Sequence, residues 1–282
     1  MNTLATSPYL SLEDTAAALR NGDITSAALV ENQLARIAHT VGDAALLLDV
    51  IAGPEPRDPA SAQSPVRSVM GRLSNDVKGT RVWLLPVSER HAIEHDVLAR
   101  YDRAVDKLAE LGMQPVARAL PQSLAASMRI AGSLMSAEGY ANLGELFEQD
   151  LEFDENVRRR ILAGRDIDSA KYITLVKLRD QARLDMSEAM DGVDVCFLPT
   201  NAITAIPVAS VDEMATPLSR FGRFANLLDL CSVAVQAGLS RQGLPISVQF
   251  VGRPCAEPLI LQVAQAYERA PPWHEDVPSG LD

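Results

Sequence analysis

Apolar positions along this chain fall into two textures. Through residue 53 they recur at helical spacing. Ser11 caps a short predicted helix, Leu12–Asn21, and Gly22 suits its end, because glycine enters the left-handed conformation without strain. Thr25 or Ser26 caps a second pattern that runs to Ile37, and a third, Val41–Ala52, stops at Gly53-Pro54. Val30, Leu34, Ile37, Val41, Ala44, Leu48 and Ile51 alternate spacings of four and three, which places them on one helical stripe. The stripe allows one continuous helix over Ser26–Ala52, about 40 Å long at about 1.5 Å per residue, the alternative being two helices that each keep their own apolar face and share a phase by coincidence. Gly42 opposes the continuous helix by about 1 kcal/mol, and Thr40, with Asp43 three residues on, offers a competing helix start.

After a Pro-, Ser- and Asp-rich loop, Pro54–Pro65, the second texture begins at Gly79. Short, continuously apolar runs alternate there with amphipathic stretches. The predicted strands are Arg81–Leu85, stopped by Pro86, then Met113–Ala119, Val193–Leu198, Ser232–Gln236 and Ile246–Val251. The predicted helices are Ile93–Leu111, closed by Gly112, then Leu124–Phe147, Asn156–Leu162, Ser169–Met190 and Glu257–Ala270. Strands apolar on both sides need cover on both faces, so the pattern predicts an α/β fold with helices on both faces of a sheet.

Composition adds limits. The 282 residues are 47% hydrophobic, enough for one large domain or two small ones. A formal charge of −11 argues against a general nucleic-acid binder, because phosphate contacts need clustered Lys and Arg. The longest basic run, Arg158-Arg159-Arg160, follows an acidic stretch and reads as a solvated helix face. No apolar run approaches the roughly 18 residues of a membrane span, and Met1–Ala5 lacks the features of a signal peptide. The widely spaced Cys196, Cys231 and Cys255 read as small core residues in a reducing compartment. A cytoplasmic protein without disulfides is expected.

The candidate chemistry is sparse. His91-Ala92-Ile93-Glu94-His95 matches H-x-x-E-H, in which two histidines at i and i+4 share a helix face and a metal, but no third ligand follows at a motif-like position. Ser169 with Lys171, and Ser74 with Lys78, pair a hydroxyl with an amine. A Ser–Lys mechanism needs a buried lysine and an oxyanion hole, whereas Ser169 reads as a helix cap and Lys171 as a first-turn surface residue. Gly132-Ser133-Leu134-Met135-Ser136 lies inside a helical pattern rather than on a nucleophile elbow. Cys196 sits among Val and Phe, where burial quiets a thiol. Neither phosphate-binding glycine loop occurs. No catalytic residue, metal ligand or cofactor site is assigned.

Several segments, taken in order, resemble the amidase-signature family: Leu10–Asp14 with Gly22–Ser26 and Leu34–Ile37; Thr40–Gly53 followed by Pro56–Pro59; Val77–Val82; Phe197–Thr200; Arg223–Leu228; and Gly243–Pro254. The resemblance covers most of the chain. It implies an incomplete amidase-signature α/β/α sandwich with a mixed sheet covered by helices, with 1–282 forming a single domain. It also implies hydrolysis of a small amide, urea or carbamate without a cofactor, by a nucleophilic Ser, a bridging cis-Ser and a Lys base.

In the family those three residues lie between the Ala-Arg-Ile helix end and the Thr-Val-x-Asp-Ala-Ala helix start. Here only Ala38-His39 separates the two landmarks, so the domain reads as internally shortened at 37–40 and no catalytic residue carries over. The resemblance leaves Thr200, at a strand end, and Arg223 and Asn226, in its Arg-x-x-Asn stretch, as remnant substrate-pocket residues. Three readings follow: a hydrolase with a replaced site, a non-catalytic relative or partner subunit of an amidase complex, or the product of an internally deleted gene. A sheet that has lost strands exposes edges, which predicts self-association or a partner subunit.

Overall fold

The computed structural model describes residues 40–55, 57, 61, 68–149, 151–212 and 218–270. The helices expected at Leu12–Asn21 and up to Ile37, and most of the Pro54–Pro65 loop, lie outside them.

The continuous helix Ser26–Ala52 does not form. Helix α1 spans Val41–Ile51, and Thr40 before it is extended, at φ −123° and ψ 165°. The competing start wins because it closes a reciprocal capping box. The Thr40 hydroxyl accepts from the Asp43 N–H at 3.1 Å, and the Asp43 carboxylate accepts from the Thr40 N–H at 2.8 Å. The Glu268 carboxylate takes the next N–H, that of Val41, at 3.1 Å. Three donors at the break are thereby satisfied, two of them within the same turn. The apolar stripe is also only partly a core face: Val41 and Ala45 are buried, while Val50 and Ile51 are 74% and 69% exposed.

Beyond α1 the elements follow the predicted order. They are β1 (Arg81–Leu84), α2 (His95–Glu110), β2 (Gln114–Val116), α3 (Leu124–Phe147), α4 (Glu155–Leu162), α5 (Ser169–Ala189), β3 (Val195–Pro199), α6 (Arg223–Leu227), β4 (Cys231–Leu239), β5 (Pro245–Gly252) and α7 (Glu257–Arg269). The short α6 has no counterpart in the apolar pattern. Strand β2 is shorter than the expected Met113–Ala119, and β4 is longer than Ser232–Gln236.

Two local expectations change. Asp168, not Ser169, caps α5, its carboxylate accepting from Lys171 N–H at 2.7 Å. Arg158 is not a solvated member of its basic run. It donates to the carbonyls of Phe147, Gln149 and Leu151 and stacks 5.2 Å from the Phe153 ring, closing the end of α3.

The sheet is mixed, ordered β2-β1-β3-β5-β4. β1 runs parallel to β2 and β3; β5 runs antiparallel to β3 and β4. One face meets α2 and α7 through an aromatic cluster. Tyr101 stacks on Phe197 at 5.4 Å, Phe197 lies 4.8 Å from Phe250, and Tyr267 meets Phe250 edge-on at 5.9 Å. Buried Tyr101 satisfies its hydroxyl by donating to Phe197 O at 3.0 Å and accepting from Leu85 N–H at 2.8 Å. On the other face Trp83, Cys196, Leu198 and Phe224 close around a small void, so α6 packs there, backed by α3. Gly164 lets the turn after α4 press onto α3, because a Cβ there would collide with the Ser136 carbonyl. Sheet cover on both faces thus agrees with the cover expected from the continuous apolar strands.

Candidate functional site

Ligands in open α/β sheets gather beyond the carboxyl ends of parallel strands. Here those are the ends of β1 and β3. Thr200 follows β3 directly. Its N–H donates to Ser247 O at 3.0 Å, which holds the backbone onto β5. Its hydroxyl is buried and has no hydrogen-bond partner.

Gln249 of β5 organises the segment around it. Its side-chain nitrogen donates to Pro199 O at 3.2 Å and to Phe221 O at 2.7 Å, within the buried layer. One amide thus ties the end of β3 to the turn that leads into α6. The Asn201 amide, in the orientation that satisfies it, donates to Leu218 O at 2.6 Å and Thr200 O at 3.3 Å. Glu94, before α2, accepts from the Thr204 N–H at 2.7 Å and hydroxyl at 2.9 Å. These contacts shape an open hollow of about 330 Å³, lined mainly by apolar residues such as Val97, Ile203, Ile206 and Ile246, with Asn201 and Ser247 as polar points.

A second hollow, about 400 Å³, is lined by Ser88, Glu89, His91, Leu120 and Ser123. Its wall is set by the buried pair Arg220–Glu89, 3.2 Å apart. Arg220 also donates to the carbonyls of Glu89 and His91, and Glu89 accepts from Leu124 N–H at the start of α3.

Of the three expected pocket residues, Thr200 lies at the end of β3, and Arg223 and Asn226 lie on α6. The Gln249 bridge brings their two segments together. No hydrogen bond joins the three side chains among the described residues. The Arg223 guanidinium runs against α3, where a Cβ on Gly132 would come within 3.5 Å of Nη1. Asn226 is exposed.

The histidine motif comes apart. Helix α2 starts at His95, and His91 precedes it in a turn, so the two do not share a helix face. His91 Nδ1 is 2.8 Å from Ser88 O, and Glu94 is engaged by Thr204. Among the described residues no group of three His, Cys, Asp or Glu side chains is placed to hold a metal ion.

Ser74, Lys78, Ser169 and Lys171 are all exposed, and Ser133 and Ser136 lie within α3. Burial pushes the Cys196 thiol up to about 12 and the Cys231 thiol to about 11, so neither is a ready nucleophile. Cys255 departs from the expected core role: it is exposed, with φ +58°. No helix among the described residues is long and apolar enough to cross a membrane.

Gln249 carried a legible signal, an amide between the apolar Val248 and Phe250 of a strand run. The Glu89–Arg220 pair carried none, because its members meet only after folding.

Comparison with known proteins gives a consistent picture. The family model described as Amidase matches residues 21–261. The A subunit of glutamyl-tRNA(Gln) amidotransferase from Geobacter metallireducens is 31% identical over 270 residues, 86% of this chain and 56% of that protein. The protein of the same name from Thermosynechococcus vestitus is 31% identical over 276 residues, 88% of this chain and 57% of its own. Among solved structures, a bacterial aryl acylamidase of the amidase signature family superposes with a TM-score of 0.72 at 21% identity, covering 87% of this chain and 55% of that one. The A subunit of glutamyl-tRNA(Gln) amidotransferase from Thermotoga maritima superposes at 0.65 with 26% identity, covering 83% of this chain and 52% of its own. The chain therefore spans about half the length of the curated relatives it matches.

Proposed function

The chain belongs to the amidase family, and from that membership we propose that it is a hydrolase relative that keeps the family's sheet and part of its pocket wall but does not hydrolyse C–N bonds alone. One observation carries the reading. The match takes up 86% of this chain but only 56% of the relative, and only Ala38-His39 separates the two landmarks that flank the catalytic segment. The domain, 1–282, is internally shortened at 37–40, and the nucleophilic Ser, cis-Ser and Lys go with the missing segment. Substrates of the family class, a small amide, urea or carbamate, meet Thr200, Arg223 and Asn226 as the remaining wall. The unpartnered Thr200 hydroxyl supports this, since an unsatisfied buried hydroxyl costs about 1–3 kcal/mol unless a ligand or water takes it up.

A serine-reactive fluorophosphonate probe tests the proposal. The purified chain is expected to remain unlabelled and to release no ammonia from simple amides; stoichiometric labelling would overturn the reading.

A second reading, that the chain works within a larger assembly, is favoured by the names of its relatives, which are those of subunits. It is tested by whether the chain purifies from its source with a stable stoichiometric companion or as a self-associated species.

A further inference from the structure

Arginines flank helix α6, and those at its two ends are saturated. Arg220, before the helix, pairs with buried Glu89 at 3.2 Å and also holds two main-chain carbonyls. Arg183, from α5, holds Leu227 O at 3.2 Å and Asp229 at 2.7 Å at the far end. Arg223, on the helix itself, has no hydrogen bond and no ion pair among the described residues. The chain carries 37 acidic residues against 26 lysines and arginines, so this is not for want of carboxylates.

The Arg223 guanidinium is not simply left in water. The residue is half-buried, and Nη1 lies against α3, 3.5 Å from where a Cβ on Gly132 would stand. Its neighbour Phe224 is buried and closes the small apolar void with Trp83 and Leu198. Asn226 follows three residues on, which sets the two side chains next to each other on α6. Its side-chain amide has no partner either among the described residues. Across the Gln249 bridge the Thr200 hydroxyl is a third polar group left over, and that one is buried. A cation partly withdrawn from water beside an apolar wall is poorly placed without an anion.

We propose that Arg223 and Asn226 bind the carboxylate of a small organic acid. This rests on the reading that these residues, with Thr200, are a remaining pocket wall, and it names the charge of what the wall takes. A guanidinium offers a fork of parallel N–H donors that a carboxylate accepts with both oxygens, and the Asn226 amide adds a further donor beside it. Arg220 and Arg183 already carry carboxylates, so the site has one uncompensated positive charge. That suits a monoanion, whereas a phosphate dianion would lack its second cation. A neutral amide alone would leave the guanidinium uncompensated.

The carboxylate has two possible sources. A simple acid engages only Arg223 and Asn226. An acid that also bears an amide brings a carbonyl oxygen to which the Thr200 hydroxyl can donate. The same carboxylate contact serves both, and their relative affinity tells them apart.

The test is calorimetric titration of the full chain at pH 7 and low salt with butyrate, succinamate and the neutral diamide succinamide. Both acids are expected to bind, with succinamide weaker by about tenfold or more and the acids losing affinity as salt rises. Arg223→Met is expected to weaken both acids by about tenfold or more and to leave succinamide unchanged. Arg223→Lys keeps the charge without the fork and recovers part of the loss, which guards against misfolding of the methionine variant. Succinamate binding tighter than butyrate supports an acid that also bears an amide; equal affinities support a simple acid. Succinamide binding as tightly as succinamate overturns the carboxylate site while leaving the pocket wall standing. Acid binding that survives Arg223→Met, or that falls equally in Lys171→Met at an exposed cation on α5, overturns it as well. No binding of any of the three compounds removes both the site and the wall.

Discussion

Arg220 and Glu89, 131 residues apart, form an ion pair at 3.2 Å in which both side chains are more than nine-tenths buried. The pair also holds main-chain groups: the Arg220 guanidinium takes the carbonyls of Glu89 and His91, and the Glu89 carboxylate takes the first N–H of α3. It thereby fixes the turn after β1, the start of α3 and the approach to α6 against one another. These segments wall the second hollow.

Removing one partner strands the other charge in the interior. Arg220→Met is expected to destabilise the fold by about 3–5 kcal/mol, the usual penalty for breaking a buried pair. Urea unfolding at fixed protein concentration measures it. The double variant with Glu89→Gln is expected to be milder than the sum of the two single ones, since the stranded charge is gone.

Gln249→Leu keeps the side-chain volume but removes the donor that Pro199 and Phe221 share. Two buried carbonyls lose a partner, at about 1–3 kcal/mol for each left unsatisfied. Hydrogen exchange should quicken first at residues 218–228, because the bridge is what holds that turn to β3.

At the break before α1, Thr40→Ala removes the hydroxyl of the capping box. A loss of about 1 kcal/mol is expected from thermal or urea unfolding, in line with other N-caps. A variant that instead gained stability and helical content would mean that the stripe across 37–41 had closed into the long helix.

Asp194 and Arg81 make the acid end of the stability profile specific. The Arg81 side chain donates to both Asp194 oxygens, at 3.2 and 3.0 Å, and holds its carboxyl below the ordinary carboxylate range. A depressed folded value means that the contribution is present above the unfolded value, about 4, and is lost as pH falls through the folded one. Asp194→Asn is therefore expected to be less stable than wild type at pH 7, with the gap narrowing below about pH 4. Unfolding free energies measured from pH 7 down to pH 3 check this.

The thiols should separate by reactivity. Ellman's reagent at pH 8 is expected to modify exposed Cys255 in the native chain. Cys196, with its thiol pushed up to about 12 within β3, should react only after denaturation. Rapid native labelling of Cys196 would mean that the sheet opens far more readily than its burial implies.

Much of the fold was legible from local pattern. The continuous apolar runs at Arg81–Leu85 and Val193–Leu198 announced strands covered on both sides, and Leu124–Phe147 matches α3 at both ends. The candidate site was legible only in part. Thr200, Arg223 and Asn226 were reached through resemblance, and the structure brings their segments together through Gln249 without joining the side chains. The H-x-x-E-H motif failed because helical phase requires a helix, and α2 begins only at its second histidine. The long-helix expectation failed similarly: a stripe reports which residues share a phase, but not whether the backbone between them stays helical.

The sequence by itself determined the order of elements, the two-faced cover of the sheet, the family and the adjacency of two family landmarks across Ala38-His39. All of these are written in residues near one another or in ordered runs. The tertiary structure alone decided the buried Arg220–Glu89 pair, the Gln249 bridge and the Glu268 carboxylate that takes the Val41 N–H at the break before α1. Each of these depends on groups distant along the chain meeting. Local periodicity carries no information about such partners until the sheet has been assembled.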